Sequence, residues 1–346
     1  MRIAIDTTPL LTGHKRRGIG VYTKKLKELI PKIDKENEYI FFSQGQNILK
    51  VDLIHYPYFD LFFNTLPLFK KTKTVVTIHD VIPLIFSKYY QPGMRGSVKF
   101  LFQEISLVGI NHVICDSKNS KKDIIKYLHL REDKISVIYL GADEIFKPIE
   151  DENILSKTKK KYGIPDKFLL YVGDVDHRKN LSRLFVALKN TDIPLIMVGE
   201  ALENGALRET KELDEQINEL KIGNRIKRIG FIPDQELADL YNLATFLIEP
   251  SLYEGFGLPV LEAMSCSCPV ISSQESSLPE VAGDVAIYFD PYNSLDIQRS
   301  IKEAIAVSGD KSRYGNLKKK SLDQSKKFSW EETARETIKI YQKVLE

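Results

Sequence analysis

The sequence predicts an α/β protein of two doubly wound halves, each a parallel sheet covered by helices on both faces. Short apolar runs recur from Arg2 to about Gly141, namely RIAID, YIFF, VDLIHYP, TVVTIHD, HVICDS and ISVIYLG, with helix-like stretches such as 19–30 and 97–108 between several of them. Strands that apolar belong to sheets buried on both faces, and their alternation with helices makes the sheets parallel. The rhythm breaks at 142–167, ADEIFKPIEDENILSKTKKKYGIPDK, where two prolines and mixed charges leave no strand-like run. A second series follows: KFLLYVG, PLIMVG, RIKRIGFI, TFLIEPS, PVISS and VAIYF, separated by helical stretches such as 180–189 and 235–243. One domain is expected at 1–150, a second at 151–327, and a closing helix at 328–346, where WEETARETIKIYQKV has apolar residues at helical spacing. Parallel sheets take ligands beside the carboxyl ends of their strands, so two facing sheets imply a cleft between the domains.

Composition narrows the function classes. A chain of 346 residues, 43% hydrophobic and 28% charged, is long enough for two cores and too apolar to be disordered. Its 50 basic against 47 acidic residues give a net charge of +3, without the dense basic stripe of a nucleic-acid binder, so no nucleic-acid partner is expected. The opening MRIAID has no secretory apolar stretch, and no run approaches the roughly 18 residues of a membrane span, so a cytoplasmic location is expected. Cys115, Cys266 and Cys268 are too few for a disulfide framework, and the last two lie in SCSCPVI, where small buried side chains are expected.

Functional side chains should follow the strands. After RIAID, Gly18 and Gly20 open a helix. A dinucleotide fingerprint is excluded because a long loop intervenes and Thr23 stands where a third glycine belongs. Bare backbone there either approaches an anion or sugar, or merely lets loop and helix pack. TVVTIHD ends on His79 and Asp80, with His79 either facing the ligand or structural. KFLLYVG ends at Gly173 and runs into DVDHRKNL, placing Arg178 and Lys179 at a helix start, a planar fork and a point charge suited to a diphosphate.

The densest stretch is EPSLYEGFGLPVLEAM, residues 249–264. TFLIEPS is a strand, LYEGFG a turn and LPVLEAM a helix with Pro259 in its first turn. Amides around Gly257 to Val260 would point at a phosphate, with Gly255, Phe256, Gly257 and Leu258 forming the cradle. Carboxylates repel phosphate, so Glu254 and Glu262 fit only as acceptors for hydroxyls, as a sugar supplies. Four residues of helix separate Leu258 from Glu262, a climb of roughly 6 Å at about 1.5 Å per residue, comparable with the step from a diphosphate to a ribose. Glu249 gains no role from this reasoning.

These residues resemble a known family. EGFGLPVLEA is similar to the Glu-x7-Glu signature of the retaining glycosyltransferases of family 4, whose GT-B fold is two facing Rossmann-like domains. The likeness extends through RRGIGVYTKKL, TIHDVIPL, CDSKNSKKDI, YLGAD, YVGDVDHRKNL, GFIPDQELADLYNLA and SSLPEVAGDVAIYFDP, and is most similar to bacterial mannosyltransferases of surface polysaccharides. The resemblance implies that Glu254 binds donor-sugar hydroxyls and Glu262 the ribose. Lys179 and Arg178 would neutralise the leaving diphosphate, with Gly18 to Gly20 lining it from the other domain. His79 would contact the transferred sugar near its anomeric carbon, and the Phe231 backbone would meet the base. It also implies that no cofactor and no metal are needed beyond the nucleotide-sugar donor, with GDP-mannose as the donor and a glycan or lipid-linked glycan as acceptor. One departure is Asp174, where many relatives carry an arginine that touches the diphosphate.

Residues 59–73, FDLFFNTLPLFKKTK, place aromatics beside lysines in the first domain. They suit peripheral docking on the anionic inner face of a membrane, or else form a buried loop leading into TVVTIHD. Transfer from a UDP-sugar is an alternative donor chemistry. Two other rivals share the architecture: a nucleotide-sugar epimerase, which needs no acceptor, and a non-catalytic nucleotide-sugar-binding module.

Overall fold

The computed structural model describes residues 1–346 apart from 47, 49, 204 and 206. The chain divides into two compact units, Met1–Gly141 with Phe328–Glu346, and Ala142–Lys327.

In the first unit β1 (Arg2–Asp6), β2 (Glu38–Phe42), β3 (Leu53–Tyr56), β4 (Lys73–Thr77), β5 (His112–Cys115) and β6 (Ile135–Val137) form a parallel sheet in the order β2-β1-β3-β4-β5-β6. The order reverses at β1 and β3, so the crevice beyond their carboxyl ends is where a ligand would lie. Helices α1 (Gly18–Ile33), α2 (Ile82–Ile85), α3 (Gly93–Ser106) and α4 (Lys118–Leu128) connect the strands. α4 starts at Ser117, whose hydroxyl accepts from Ser120 N at 2.9 Å and satisfies one of the helix's orphan donors. Val76, Ile78, Val113, Cys115 and Ile124 are buried in one core, which Phe59, Leu61 and Leu66 join.

The second unit has α5 (Glu152–Tyr162), β7 (Leu169–Val172), α6 (Leu181–Leu188), β8 (Leu195–Val198), α7 (Arg208–Leu220), β9 (Ile226–Ile229), α8 (Asp234–Leu243), β10 (Phe246–Glu249), α9 (Leu258–Ser265), β11 (Val270–Ser273), α10 (Leu278–Ala282), β12 (Ile287–Phe289), α11 (Ser294–Gly309) and α12 (Lys311–Ser325). Its sheet, again parallel, runs β12-β11-β10-β7-β8-β9, with the reversal at β7 and β10. The connection packs on this unit from its start: Ile149 N donates to Asn242 Oδ1 at 2.8 Å, and Phe146 stacks edge-on against Tyr241 at 5.8 Å. Cys266 and Cys268 are buried as small core side chains.

The last helix, α13 (Trp330–Leu345), belongs to the first unit. Ser329 caps it, accepting from Glu332 N at 3.1 Å in a Ser-x-x-Glu frame. It buries Trp330, Thr337 and Tyr341 and packs along α1. Tyr341 OH bonds His55 Nδ1 at 2.6 Å, and His55 Nε2 meets Thr77 Oγ1 at 2.9 Å, so the helix is pinned by a polar chain as well as by apolar burial. Among the described residues no helix is long and apolar enough to cross a membrane.

Candidate active site

In the second unit the expected residues converge on the strand reversal. Gly173 immediately follows β7, and Arg178 and Lys179 lie in the short 3-10 turn that comes next. That turn is capped by Asp176, whose Oδ1 accepts from Arg178 N at 3.0 Å. Glu254 follows β10, the neighbour of β7. Its Oε1 lies 2.9 Å from Arg178 Nη1 and 2.8 Å from Lys179 Nζ, so one carboxylate oxygen bridges both cations. Burial alone would raise the Glu254 carboxyl, but Arg178, Lys179 and a Ser251 hydrogen bond hold it down at about 2. Lys179 is only 5% exposed; burial disfavours its charge, yet Glu249 and Glu254 outweigh that and raise its pKa. Gly173 is adjacent, for a side chain there would begin 3.2 Å from Lys179 Nζ.

Glu249, without a role in the sequence reading, is a member of this cluster. It is 1% exposed at the end of β10, and its Oε1 accepts from the Ser251 hydroxyl at 2.5 Å. Burial raises its pKa while Lys179 pulls it back. Ser251 thus bonds both acids, and Lys179 lies between two buried carboxyls. The turn at 254–257 is anchored by Ser276 and Ser277: Glu254 N donates to Ser276 Oγ at 2.8 Å, and the Ser277 hydroxyl donates to the carbonyls of Glu254 at 2.8 Å and Phe256 at 2.9 Å. Lys179 is 70 positions from Glu249, and spacing along the chain carries no sign of such partners; only the strand order brings them together.

Gly257 caps α9 with φ 108°, a left-handed conformation that a side chain would strain. Pro259 stands in the first turn. The amide cradle is narrower than expected, because Val260 N already donates to Gly257 O at 3.1 Å and Pro259 has no N–H. Leu258 supplies the N–H of the first helical position, with Gly255 and buried Phe256 in the turn before it. Glu262, one turn on, accepts from Tyr241 OH at 2.9 Å, and burial pushes its carboxyl up to about 7. Phe231 is exposed in the turn after β9. Asp174 Oδ1 accepts from Ala201 N at 3.3 Å, so it caps a neighbouring turn.

In the first unit His79 lies just beyond β4. Its Nδ1 is 2.6 Å from Asp116 Oδ2 and its Nε2 3.0 Å from the Pro57 carbonyl. A carbonyl only accepts and Asp116 is an acid, so the pair of contacts suits an imidazolium with two N–H donors. Burial would depress its pKa; Asp116 overrides this and raises it. Tyr22 of α1 stacks edge-on against the ring at 5.0 Å. Asp116 lies in the CDS run after β5, on a strand end where functional side chains are sought, yet nothing in its spacing pairs it with His79. Gly18 opens α1 at the surface. At Gly20 close packing is what the geometry demands: a Cβ there would lie 2.4 Å from His14 O and 2.6 Å from Lys15 O, so the glycine lets the 3-10 turn at 13–16 seat on α1. Among the described residues no group of three or more His, Cys, Asp or Glu is placed to hold a metal ion.

Comparisons with known proteins agree with this layout. Residues 156–321 match the family described as Glycosyl transferases group 1, and residues 14–145 match Glycosyltransferase Family 4. The serotype-specific mannosyltransferase WbdA of Escherichia coli is 31% identical over 79% of this chain, which spans 34% of that protein's length. O-antigen chain mannosyltransferase B of Escherichia coli is 30% identical over 78% of this chain and 70% of its own. Among solved structures, Anabaena HepE in complex with UDP-glucose covers 99% of this chain and 100% of its own at 18% identity with a TM-score of 0.75. WaaG, a glycosyltransferase involved in lipopolysaccharide biosynthesis, covers 98% of this chain and 99% of its own at 13% identity with a TM-score of 0.72. Two Rossmann-like units, the cluster at the β7–β10 reversal and these matches together show that the chain has the GT-B fold and belongs to the glycosyltransferases of group 1 and family 4.

Proposed function

We propose that this chain is a retaining hexosyltransferase that moves mannose from GDP-mannose to a glycan or lipid-linked glycan. The observation that carries the reading is the Arg178, Lys179 and Glu254 cluster at the strand reversal, two cations held by one carboxylate oxygen beside a glycine-capped helix start. Two cations and the Leu258 amide suit a leaving diphosphate, and Glu254 suits the hydroxyls of the sugar attached to it. The mannosyltransferase names of the relatives support the choice of mannose.

In the proposed reaction the bond between the anomeric carbon and the diphosphate oxygen breaks, and a bond to the acceptor hydroxyl forms on the same face. The acceptor's proton passes to the departing phosphate. Lys179 and Arg178 offset the charge that develops on that phosphate; Arg178 takes the part that an arginine at position 174 would otherwise play. His79, cationic through Asp116, is the first unit's polar group for the sugar, Glu262 receives the ribose hydroxyls, and the Phe231 backbone meets the base. The two cations do the work of a divalent metal, so activity should survive EDTA.

A screen of nucleotide sugars by thermal denaturation tests the donor. GDP-mannose at a hundred times its Kd should stabilise the protein by about 2.7 kcal/mol, and transfer to a mannosylated acceptor should follow. Stabilisation by a UDP-sugar in place of GDP-mannose would overturn the choice of donor. Release of an altered nucleotide sugar without acceptor, or binding without any turnover, would overturn transfer itself.

A further inference from the structure

Helix α3 is inside out. Its buried positions are Gly96, Gln103 and Ser106, while Met94, Val98, Leu101, Phe102 and Ile105 are exposed, Met94 at 89%. At about 100° per residue these five fall within an arc of roughly 100° on the helix, opposite the buried side. A surface helix normally does the reverse, and a contiguous exposed apolar face marks an interaction site.

The face extends beyond the helix. Gln103 Nε2 donates to Asp60 O at 2.5 Å and to Thr65 Oγ1 at 3.0 Å, fixing the 60–65 loop against α3. Phe63, at the tip of that loop, is 64% exposed and lies 4.9 Å from Lys99 Nζ, and Phe69 further along is 86% exposed. The segment 59–73 is therefore divided: Phe59, Leu61 and Leu66 enter the core, and Phe63 and Phe69 face out.

Charge decides what covers this face. Arg95 and Lys99 flank the apolar arc, and between residues 60 and 108 the chain carries six lysines or arginines against three acids. An apolar helix face with aromatic neighbours and a cationic flank is the composition that lies flat in the headgroup layer of an anionic bilayer. α3 also lies in the connection that leaves the β4 end carrying His79, after the short helix α2.

We propose that α3, with Phe63 and Phe69, is a docking face for an anionic membrane surface. It deepens the reading of the acceptor as lipid-linked, because a protein lying on the bilayer by this face presents the β4 end to lipid-borne substrates.

Co-sedimentation of the full chain with phosphatidylcholine vesicles, with and without one third phosphatidylglycerol, tests the proposal. The wild type should pellet with the anionic vesicles and be released by salt. Leu101→Glu with Ile105→Glu, both exposed, should remain in the supernatant with an unchanged melting temperature and unchanged nucleotide-sugar stabilisation. Arg95→Ala with Lys99→Ala should partition about thirtyfold more weakly on anionic vesicles. The proposal is overturned if the wild type stays in the supernatant, or if the doubly substituted Leu101 and Ile105 chain pellets equally. It is also overturned if those substitutions instead split a dimer that shows no vesicle binding. Failure of every nucleotide sugar to stabilise the protein, with vesicle binding intact, would sink the donor reading and leave this one standing.

Discussion

Lys179 is where the charges of the second unit meet, because Glu254 bonds it directly and Glu249 lies buried beside it. A negative Glu249 opposes a diphosphate at the same cation, so Glu249→Gln, which keeps an oxygen for the Ser251 hydroxyl, should tighten nucleoside diphosphate binding. About three- to tenfold is expected at pH 8 and less at pH 6, because the raised Glu249 carboxyl takes up its proton at a higher pH than an ordinary glutamate. Titration calorimetry at the two pH values checks this, and weaker binding at both would refute it. Glu262 gives the complementary case. With its carboxyl near 7, it is mostly neutral at pH 6 and mostly a carboxylate at pH 8, the stronger acceptor for ribose hydroxyls. The KM for donor should fall as pH rises from 6 to 8, and Glu262→Gln should remove that slope while kcat changes little.

At the scale of elements, the apolar runs in the sequence correspond to β1 through β12, since strands buried on both faces are written as uninterrupted apolar stretches. The turn at 254–258 was legible for a similar reason: glycine and proline placed between a strand and a helix admit few conformations. α3 was not legible in the same way. Periodicity shows that a helix has an apolar face and is silent on whether that face turns inward, and here Gly96, Gln103 and Ser106 turn inward instead. The polar pairs were hidden because each is made by strand order: His79 and Asp116 are contributed by β4 and β5, neighbours in the sheet and 37 positions apart in the chain. Gly20 shows which of two sequence readings the packing supports. Gly20→Ala would push a methyl into two carbonyls and should cost about 1–3 kcal/mol, read as a lower denaturation midpoint. An unchanged midpoint would mean that the turn at 13–16 shifts freely and that close packing is not what the glycine serves.

At the scale of the molecule, the two units respond to acid with opposite signs. Burial holds the His55 imidazole down at about 3 in the first unit, so between pH 6.5 and 5 the unfolded chain binds a proton that the folded one refuses. His55 alone should cost that unit about 1.4 kcal/mol per pH unit over the window, and His112, which burial holds down at about 4, acts in the same direction. His79 adds no slope there, because its raised pKa keeps it protonated in both states; its contribution is complete below 6.5 and fades as pH rises through the raised value. In the second unit Glu262, near 7, takes up a proton when folded that the unfolded chain accepts only near 4.5, so stability rises as pH falls from 7. Calorimetry from pH 7 to 5 should show one transition moving down and the other up; parallel movement would contradict these assignments. Tyr341→Phe, which removes the partner of His55 Nδ1 from α13, should lower the first unit's transition by about 1–3 kcal/mol and leave the other in place.

The binding and turnover predictions rest on the cluster at the β7–β10 reversal being the donor site, and Glu254→Gln tests that most directly. Transfer from GDP-mannose to a mannosylated acceptor and GDP binding by calorimetry should be measured on wild type and variant side by side. Turnover reduced about a hundredfold or more, with GDP bound at least as tightly because Arg178 and Lys179 are released from the carboxylate, is the expected result. Wild-type turnover in the variant would contradict the role of Glu254 and, with it, the placement of the donor.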